Sequence, residues 1–240
     1  MAHFRKVYSN SSALSYFIPP RTTIIGIIAG LLGYERDTYY EDFNRKKCKI
    51  AVGINQPVKK SIQTLNYLMI KKPGDFNASM EHHSQTPVEL VIPQNIRTGY
   101  LEYQIWINHK DDKILDMLEK RVKSKLIYQS SGISLGLGPA YNLGWIEYAD
   151  IHQGENKGEN RSVAISSIMP LNKVMDLFVE RMDEGYKLIK EEVPLEFNSE
   201  RQITKEGLGQ MVANLSQNQI YIKPKSYIEL EDKTNIMWME

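Results

Sequence analysis

Pro19-Pro20-Arg21-Thr22-Thr23-Ile24-Ile25-Gly26-Ile27-Ile28-Ala29-Gly30-Leu31-Leu32-Gly33 is the stretch on which the fold turns. Paired prolines disfavour helix before them. Thr22 or Thr23 can cap a helix, and Gly33 stands where a left-handed glycine ends one. The pattern therefore predicts a helix running to Leu32. Its residues are apolar nearly all round, which predicts burial, and Gly26 and Gly30 leave room for a close neighbour. The apolar run 24–32 is nine residues, far below the roughly 20 that a bilayer requires. With no small-residue cleavage site after it, neither a membrane span nor a secretory leader is expected.

Beyond this helix, residues 38–44 read as a short second helical piece that carries acids, and 49–54 and 61–69 as strands joined through Asn55-Gln56-Pro57. Residues 71–98 are rich in Pro, Gly, Asn and His, with a strand at 88–92; so long an excursion is often functional. Strict alternation over 100–108 predicts a strand. At 111–123, Ile114, Leu115, Leu118 and Val122 fall on one face of an amphipathic helix. A glycine-rich element covers 130–140. Short strands follow at 145–151, 162–169, 220–223, 226–230 and 236–239, interrupted by a polar, mobile loop at 154–161. The expected class is α+β, with helices on one face of a sheet, as in ferredoxin-like and RNA-recognition domains. A division into residues 1–145 and a β-rich 146–240 follows from the change in pattern.

Ahead of the helix, His3 to Tyr8 reads as a strand running out into a loop. Arg5, Lys6 and Arg21 can hold phosphates, Phe4, Tyr8 and Tyr16 offer faces for unstacked bases, and Ser9, Asn10, Ser11 and Ser12 supply hydrogen bonds. That mixture suits single-stranded nucleic acid better than duplex DNA. Apolar residues make up 42% and charged ones 25% of 240 residues, ordinary for a globular chain. The single Cys48 excludes an internal disulfide and any multi-thiolate metal site, and is compatible with a cytoplasmic address. Net charge is only +1, yet residues 1–60 hold ten Lys/Arg against four acids, and 131–240 hold eleven against seventeen. A basic end and an acidic end fit a protein that touches a polyanion on one side and proteins elsewhere.

Three runs carry a resemblance: Ala2-His3-Phe4-Arg5-Lys6, Tyr8-Ser9-Asn10-Ser11-Ser12-Ala13-Leu14-Ser15-Tyr16, and the proline–helix stretch 19–33. Together with 35–40 and Gly132-Ile133-Ser134-Leu135-Gly136-Leu137-Gly138-Pro139-Ala140-Tyr141, they closely resemble the fifth family of CRISPR-associated (Cas) proteins in its type I-B form. The resemblance covers residues 2–145 and belongs to a superfamily of repeat-associated RNA-binding proteins. It implies a ferredoxin-like domain with a long β-hairpin thumb, placed at about 71–98, and a β-rich C-terminal subdomain. It also implies a role in antiviral defence. There the chain would cap the 5′ handle of the CRISPR RNA in the Cascade surveillance complex, next to the large and backbone subunits, with target DNA nearby. Relatives carry an apolar first strand ahead of the Ala-His-Phe-Arg-Lys motif, so with Met1 directly before it the central sheet is expected to be one strand short.

On this basis the RNA-binding residues are expected to be His3, Phe4, Arg5, Lys6, Tyr8, Ser9, Asn10, Ser12, Tyr16, Arg21, His82, His83, Gly132, Ser134, Gly136 and Gly138. Glycines 136 and 138 would let main chain approach RNA without a Cβ clash. No cofactor or metal is expected, and no catalytic group. Type I-C relatives are metal-independent endoribonucleases, which makes RNA cleavage by His, Tyr or Lys the alternative. The histidines here suggest no convergent set, since neighbours such as His82 and His83 in a hairpin point to opposite faces. His109 reads as a surface or cap residue, Trp106 and Trp145 as packing residues, and Arg45-Lys46-Lys47 with Lys49 as a solvated face. Residues 132–138 lack the Lys-Ser/Thr of a phosphate-binding Walker loop. A protein-only adaptor is the third reading.

Overall fold

The computed structural model describes residues 1–9, 13–67, 73, 84–124, 135–139, 141–158, 162–182, 185–216 and 219–240. Their fold is α+β, with two α-helices and antiparallel strand pairing throughout the named strands.

Helix α1 spans Arg21–Leu32. It begins two to three residues earlier than a cap at Thr22 or Thr23 would place it: Pro20 occupies the cap position, and its carbonyl accepts the Thr23 and Ile24 N–H groups. Proline is tolerated at this place because the helix uses only its carbonyl and not the N–H it lacks. Gly33 ends the helix at φ 84°, its N–H donated to Gly30. Ile24, Ile25, Ile28, Ala29 and Leu32 are buried in the main core. Gly26 packs under Tyr39, whose hydroxyl lies 3.3 Å from where a Cβ would stand. Residues 38–44 form turns and not a helix. Asn44 closes one of them, its side-chain oxygen accepting the N–H groups of Lys46 and Lys47.

Strands β3 (Cys48–Ile54) and β6 (Tyr103–His109) form a two-stranded sheet that runs from Cys48 opposite His109 to Ile54 opposite Tyr103. Helices α1 and α2 (Asp112–Ser124) cover it, with Ile114 of α2 buried in the same core as Ile50 and Val52. The outer edge of β3 is taken: Met239 donates to Ile50 O, Ile168 to Val52 O, and Arg21 Nη2 to Cys48 O.

The excursion expected at 71–98 belongs to a longer feature. Strands β4 (Val58–Tyr67) and β5 (Ser84–Pro93) pair from Val58 opposite Pro93 to Tyr67 opposite Ser84. The hairpin therefore starts at Val58, and β4 pairs with β5 and not with β3. A minimal pair, β1 (Phe4–Arg5) with β2 (Ser15–Tyr16), lies along β5 through bridges Ala2–Val91 and Ala13–Val88.

The second half is built from three small sheets with strand orders β10-β13-β8, β11-β12-β9 and β15-β14-β7. Their ranges are β7 Gly154–Gly158, β8 Val163–Ile165, β9 Met169–Pro170, β10 Val174–Leu177, β11 Leu188–Pro194, β12 Leu208–Asn214, β13 Ile220–Pro224, β14 Ser226–Leu230 and β15 Asn235–Ile236. Residues 145–151 are irregular instead of a strand, whereas the polar 154–158, expected as a mobile loop, pairs with β14. Among the described residues no sheet draws strands from both halves. The core does: Ile168, Val193, Leu195, Met211, Ala213, Leu215 and Met239 are buried with the residues of α1 and β3.

Candidate nucleic-acid interface

Phe4 and Tyr16 are opposite each other in the β1–β2 pair, and both point inward. The Phe4 ring meets Tyr103 edge-on at 6.0 Å, so neither it nor buried Tyr16 offers a face for a base. Alternation along a strand then sends Arg5 outward. Past it the chain turns at Lys6 to Ser9, closed by the Ser9 N–H and hydroxyl, both donated to Lys6 O. Tyr8 is 64% exposed; Val7 beside it in sequence is also exposed, as is Leu14 just ahead of β2. Arg5 Nη2 donates to Ser9 O at 3.1 Å, which holds the guanidinium over the turn, and the residue is exposed.

His3 is where three segments meet. Its N–H donates to Leu137 O at 2.9 Å, and its ring Nδ1 donates to Glu89 O on β5 at 2.8 Å. Gly138 takes φ 106°, and a Cβ there would stand 2.0 Å from the His3 carbonyl oxygen. The glycine thus admits the protein's own opening segment, where the sequence pointed to RNA. Gly136 bridges Leu143 across the same loop. Opening segment, glycine loop and long hairpin meet here, and His3 is buried as the fastener between them.

Arg21 is corrected outright. It is 1% exposed, and its guanidinium donates to Leu195 O, Phe43 O and Cys48 O at 2.7–2.9 Å. Three carbonyls consume the donors a phosphate would need. Burial lowers its pKa, opposed by the Cys48 and Glu196 charges. Burial in turn pushes the Cys48 thiol up to about 11, so that cysteine is an unreactive core residue. Lys6 is half committed, paired with Glu191 at 3.3 Å and set over the Tyr16 ring at 5.4 Å.

Three residues that hold this surface in place gave no sequence signal. Glu89 accepts the Ser15 N–H at 2.8 Å and pairs with Lys60 at 3.2 Å. Glu191 accepts the Phe17 N–H and pairs with both Lys6 and Lys60. Lys60 also donates to Ser15 O and lies 4.1 Å from the centre of the Phe17 ring. Only the fold makes neighbours of residues 6, 60, 89 and 191.

Other expectations divide. His109 is buried and not at the surface, donating Nε2–H to Asp42 O, while its Nδ1 accepts the Asp111 N–H just ahead of α2, the capping role of the two offered. Arg45 pairs with Glu196 and Glu206, Lys47 with Asp42, and Lys49 with Glu240, so much of the basic run is internally neutralised. Trp106 packs on Ala51, Leu230 and Ile236, whereas Trp145 is 60% exposed. Asn10, Ser12, His82, His83, Gly132 and Ser134 lie outside the described residues. Among those described, no group of three His, Cys, Asp or Glu could hold a metal ion, and no helix is long and apolar enough to cross a membrane.

No family model matches the chain, and no curated protein matches it. Among solved structures, a chain described as "CRISPR RNA-guided surveillance complex" is similar, with 11% identity over 92% of this chain and 87% of that one and a TM-score of 0.46. A likeness at that level assigns no role to any residue here.

Proposed function

We propose that this protein is a non-catalytic RNA-binding subunit of a CRISPR surveillance complex, holding the 5′ handle of the guide RNA. The reading rests on the sequence resemblance over residues 2–145 and on one structural observation. The opening segment, the glycine loop and the long hairpin converge at His3, and the turn beside them presents Arg5 and Tyr8 to solvent. A fixed guanidinium with an exposed phenol ring supplies one phosphate contact and one stacking face. The large and backbone subunits and nearby target DNA remain the partners this role implies, in a type I-B setting. A binding role without cleavage is favoured because His3 and His109 both spend ring nitrogens on main-chain groups.

The test uses the full chain with single-stranded repeat RNA from its own array, in chelator. Arg5→Ala/Tyr8→Ala is expected to weaken binding at least tenfold, since one stacked base alone contributes about 1–3 kcal/mol, with thermal stability unchanged. Unaltered binding would remove the site from this surface. Cleavage of the RNA to a cyclic phosphate end would replace the capping role with the endoribonuclease one.

A further inference from the structure

A second surface lies on the segment that leaves the glycine loop. Trp145 and Tyr100 are 60% and 50% exposed, their ring centres 6.3 Å apart and their planes tilted by 38°. Exposed aromatics of this size, paired on irregular chain, pack no core and so call for another explanation. Two carboxylates frame them. Glu147 Oε1 accepts the Trp145 indole N–H at 3.1 Å, and Glu102 is anchored by Asn55 Nδ2 at 3.0 Å. The Glu102 charge and its hydrogen bond raise the Tyr100 phenol, with Glu147 adding to the effect, so both acids lie within electrostatic reach of that ring. Among the described residues the side-chain hydrogen-bond partners of Glu102 and Glu147 are neutral groups, Asn55, Tyr100 and Trp145, and neither acid pairs with a lysine or arginine.

We propose that Tyr100, Trp145, Glu102 and Glu147 form a docking site for an arginine side chain presented by a partner protein. The aromatic faces attract a cation, and the two carboxylates complement its charge and take its N–H donors. Guanidinium fits better than ammonium because its plane stacks on the indole while its edge forks to carboxylate. An RNA base could stack on the same rings, but its phosphates would then sit beside two carboxylates that pair with no described lysine or arginine. The site thus differs in sign from the Arg5–Tyr8 surface and would bind a different class of partner.

Nuclear magnetic resonance of the full chain, labelled at its indole nitrogens, separates Trp145 from Trp106 and Trp238, with Trp145→Phe giving the assignment. The probe is acetyl-Gly-Arg-Arg-Arg-Gly-amide, compared with the same peptide carrying citrulline at all three arginines. The arginine peptide is expected to shift the Trp145 resonance saturably, and the citrulline peptide to leave it in place. Glu102→Gln/Glu147→Gln should weaken the arginine peptide by about fivefold or more while the Trp106 and Trp238 resonances stay unmoved. Equal response to both peptides, or no response, overturns the proposal. So does a Trp145 shift with decauridylate RNA, or one that follows protein concentration alone and so reports a second copy. Trp145→Ala leaves repeat-RNA binding intact if the two surfaces are separate, so failure here is distinguishable from failure of the capping role.

Discussion

Gly138 faces the His3 carbonyl so closely that any side chain there would displace the main chain, and its φ of 106° is one that L residues rarely adopt. Gly138→Ala is therefore expected to destabilise the fold by roughly 1–3 kcal/mol, read as a lowered urea midpoint. An unchanged midpoint would mean that the loop is not clamped to the opening segment. Arg21→Lys tests the other residue whose environment was misjudged. An ammonium cannot span Leu195 O, Phe43 O and Cys48 O, so a loss of about 3 kcal/mol is expected, while RNA affinity of the folded fraction is retained. Loss of affinity at unaltered stability would return Arg21 to the phosphate-binding set. Gly138 was legible as a glycine with a special task, because glycine loops admit close approach. What approaches it was not legible, and neither was the burial of Arg21, whose nearest carbonyl partner in sequence is 22 residues away and whose farthest is 174.

At the scale of elements, the β1–β2 pair has too few backbone hydrogen bonds to stand alone, and two-stranded hairpins are marginal in water. Besides its bridges to β5 and the burial of Phe4 and Tyr16, charges attach it: Glu191 on β11 holds Lys6 and Lys60 and accepts the Phe17 N–H, with 8% of its side chain exposed. Removing one partner of such a buried cluster leaves the others uncompensated. Glu191→Ala is expected to cost roughly 3 kcal/mol and to raise amide exchange at Phe17 and Ser15 before the rest of the chain. Uniform exchange would instead place Glu191 outside the clamp. Helices α1 and α2 were readable because their apolar spacing is local, and Gly33 marks the end of α1. The β7 strand was not, since its Gly-Glu-Asn-Lys-Gly sequence has no apolar alternation and is held at a sheet edge by main-chain pairing with Ser226–Leu230. Strands β11 and β12 were missed too. In β11 burial does alternate from Ile189 to Val193, but the inward position between them is Glu191, a charge where the period-2 pattern calls for an apolar residue.

For the whole molecule, the charge imbalance between its ends is resolved largely within the chain. Cations of the first 60 residues pair with acids of the last 50 at Lys6–Glu191, Lys60–Glu191, Arg45–Glu196, Arg45–Glu206 and Lys49–Glu240. A basic terminus visible in sequence is therefore weaker evidence for a polyanion than its count implies. Glu240 shows the consequence for pH. Burial alone would raise its carboxyl, but hydrogen bonds from Lys173 and Lys49, with their charges, outweigh burial and hold it below the usual 4.5. A carboxyl lowered on folding contributes stability that is present above 4.5 and is lost as pH falls through the lower folded value. Glu240→Gln should accordingly lower the urea midpoint near neutrality and converge on the parent chain as pH falls below 4.5 and through the lowered folded value. A constant offset at every pH would show that packing, and not the ion pairs, sets the contribution. The same inter-half dependence predicts how fragments behave. The main core buries Val193, Leu195, Met211 and Met239 against Ile25, Ile28, Ile50 and Val52, and β3 gives Ile50 O and Val52 O to Met239 and Ile168. Produced alone, residues 1–145 would expose that apolar face and leave those carbonyls to water. They are expected to unfold without a cooperative transition, and mixing with residues 146–240 should restore one. A sigmoidal urea transition in each separate fragment would instead make the change of pattern near residue 145 a true domain boundary, because each half would then possess a core sufficient for its own stability.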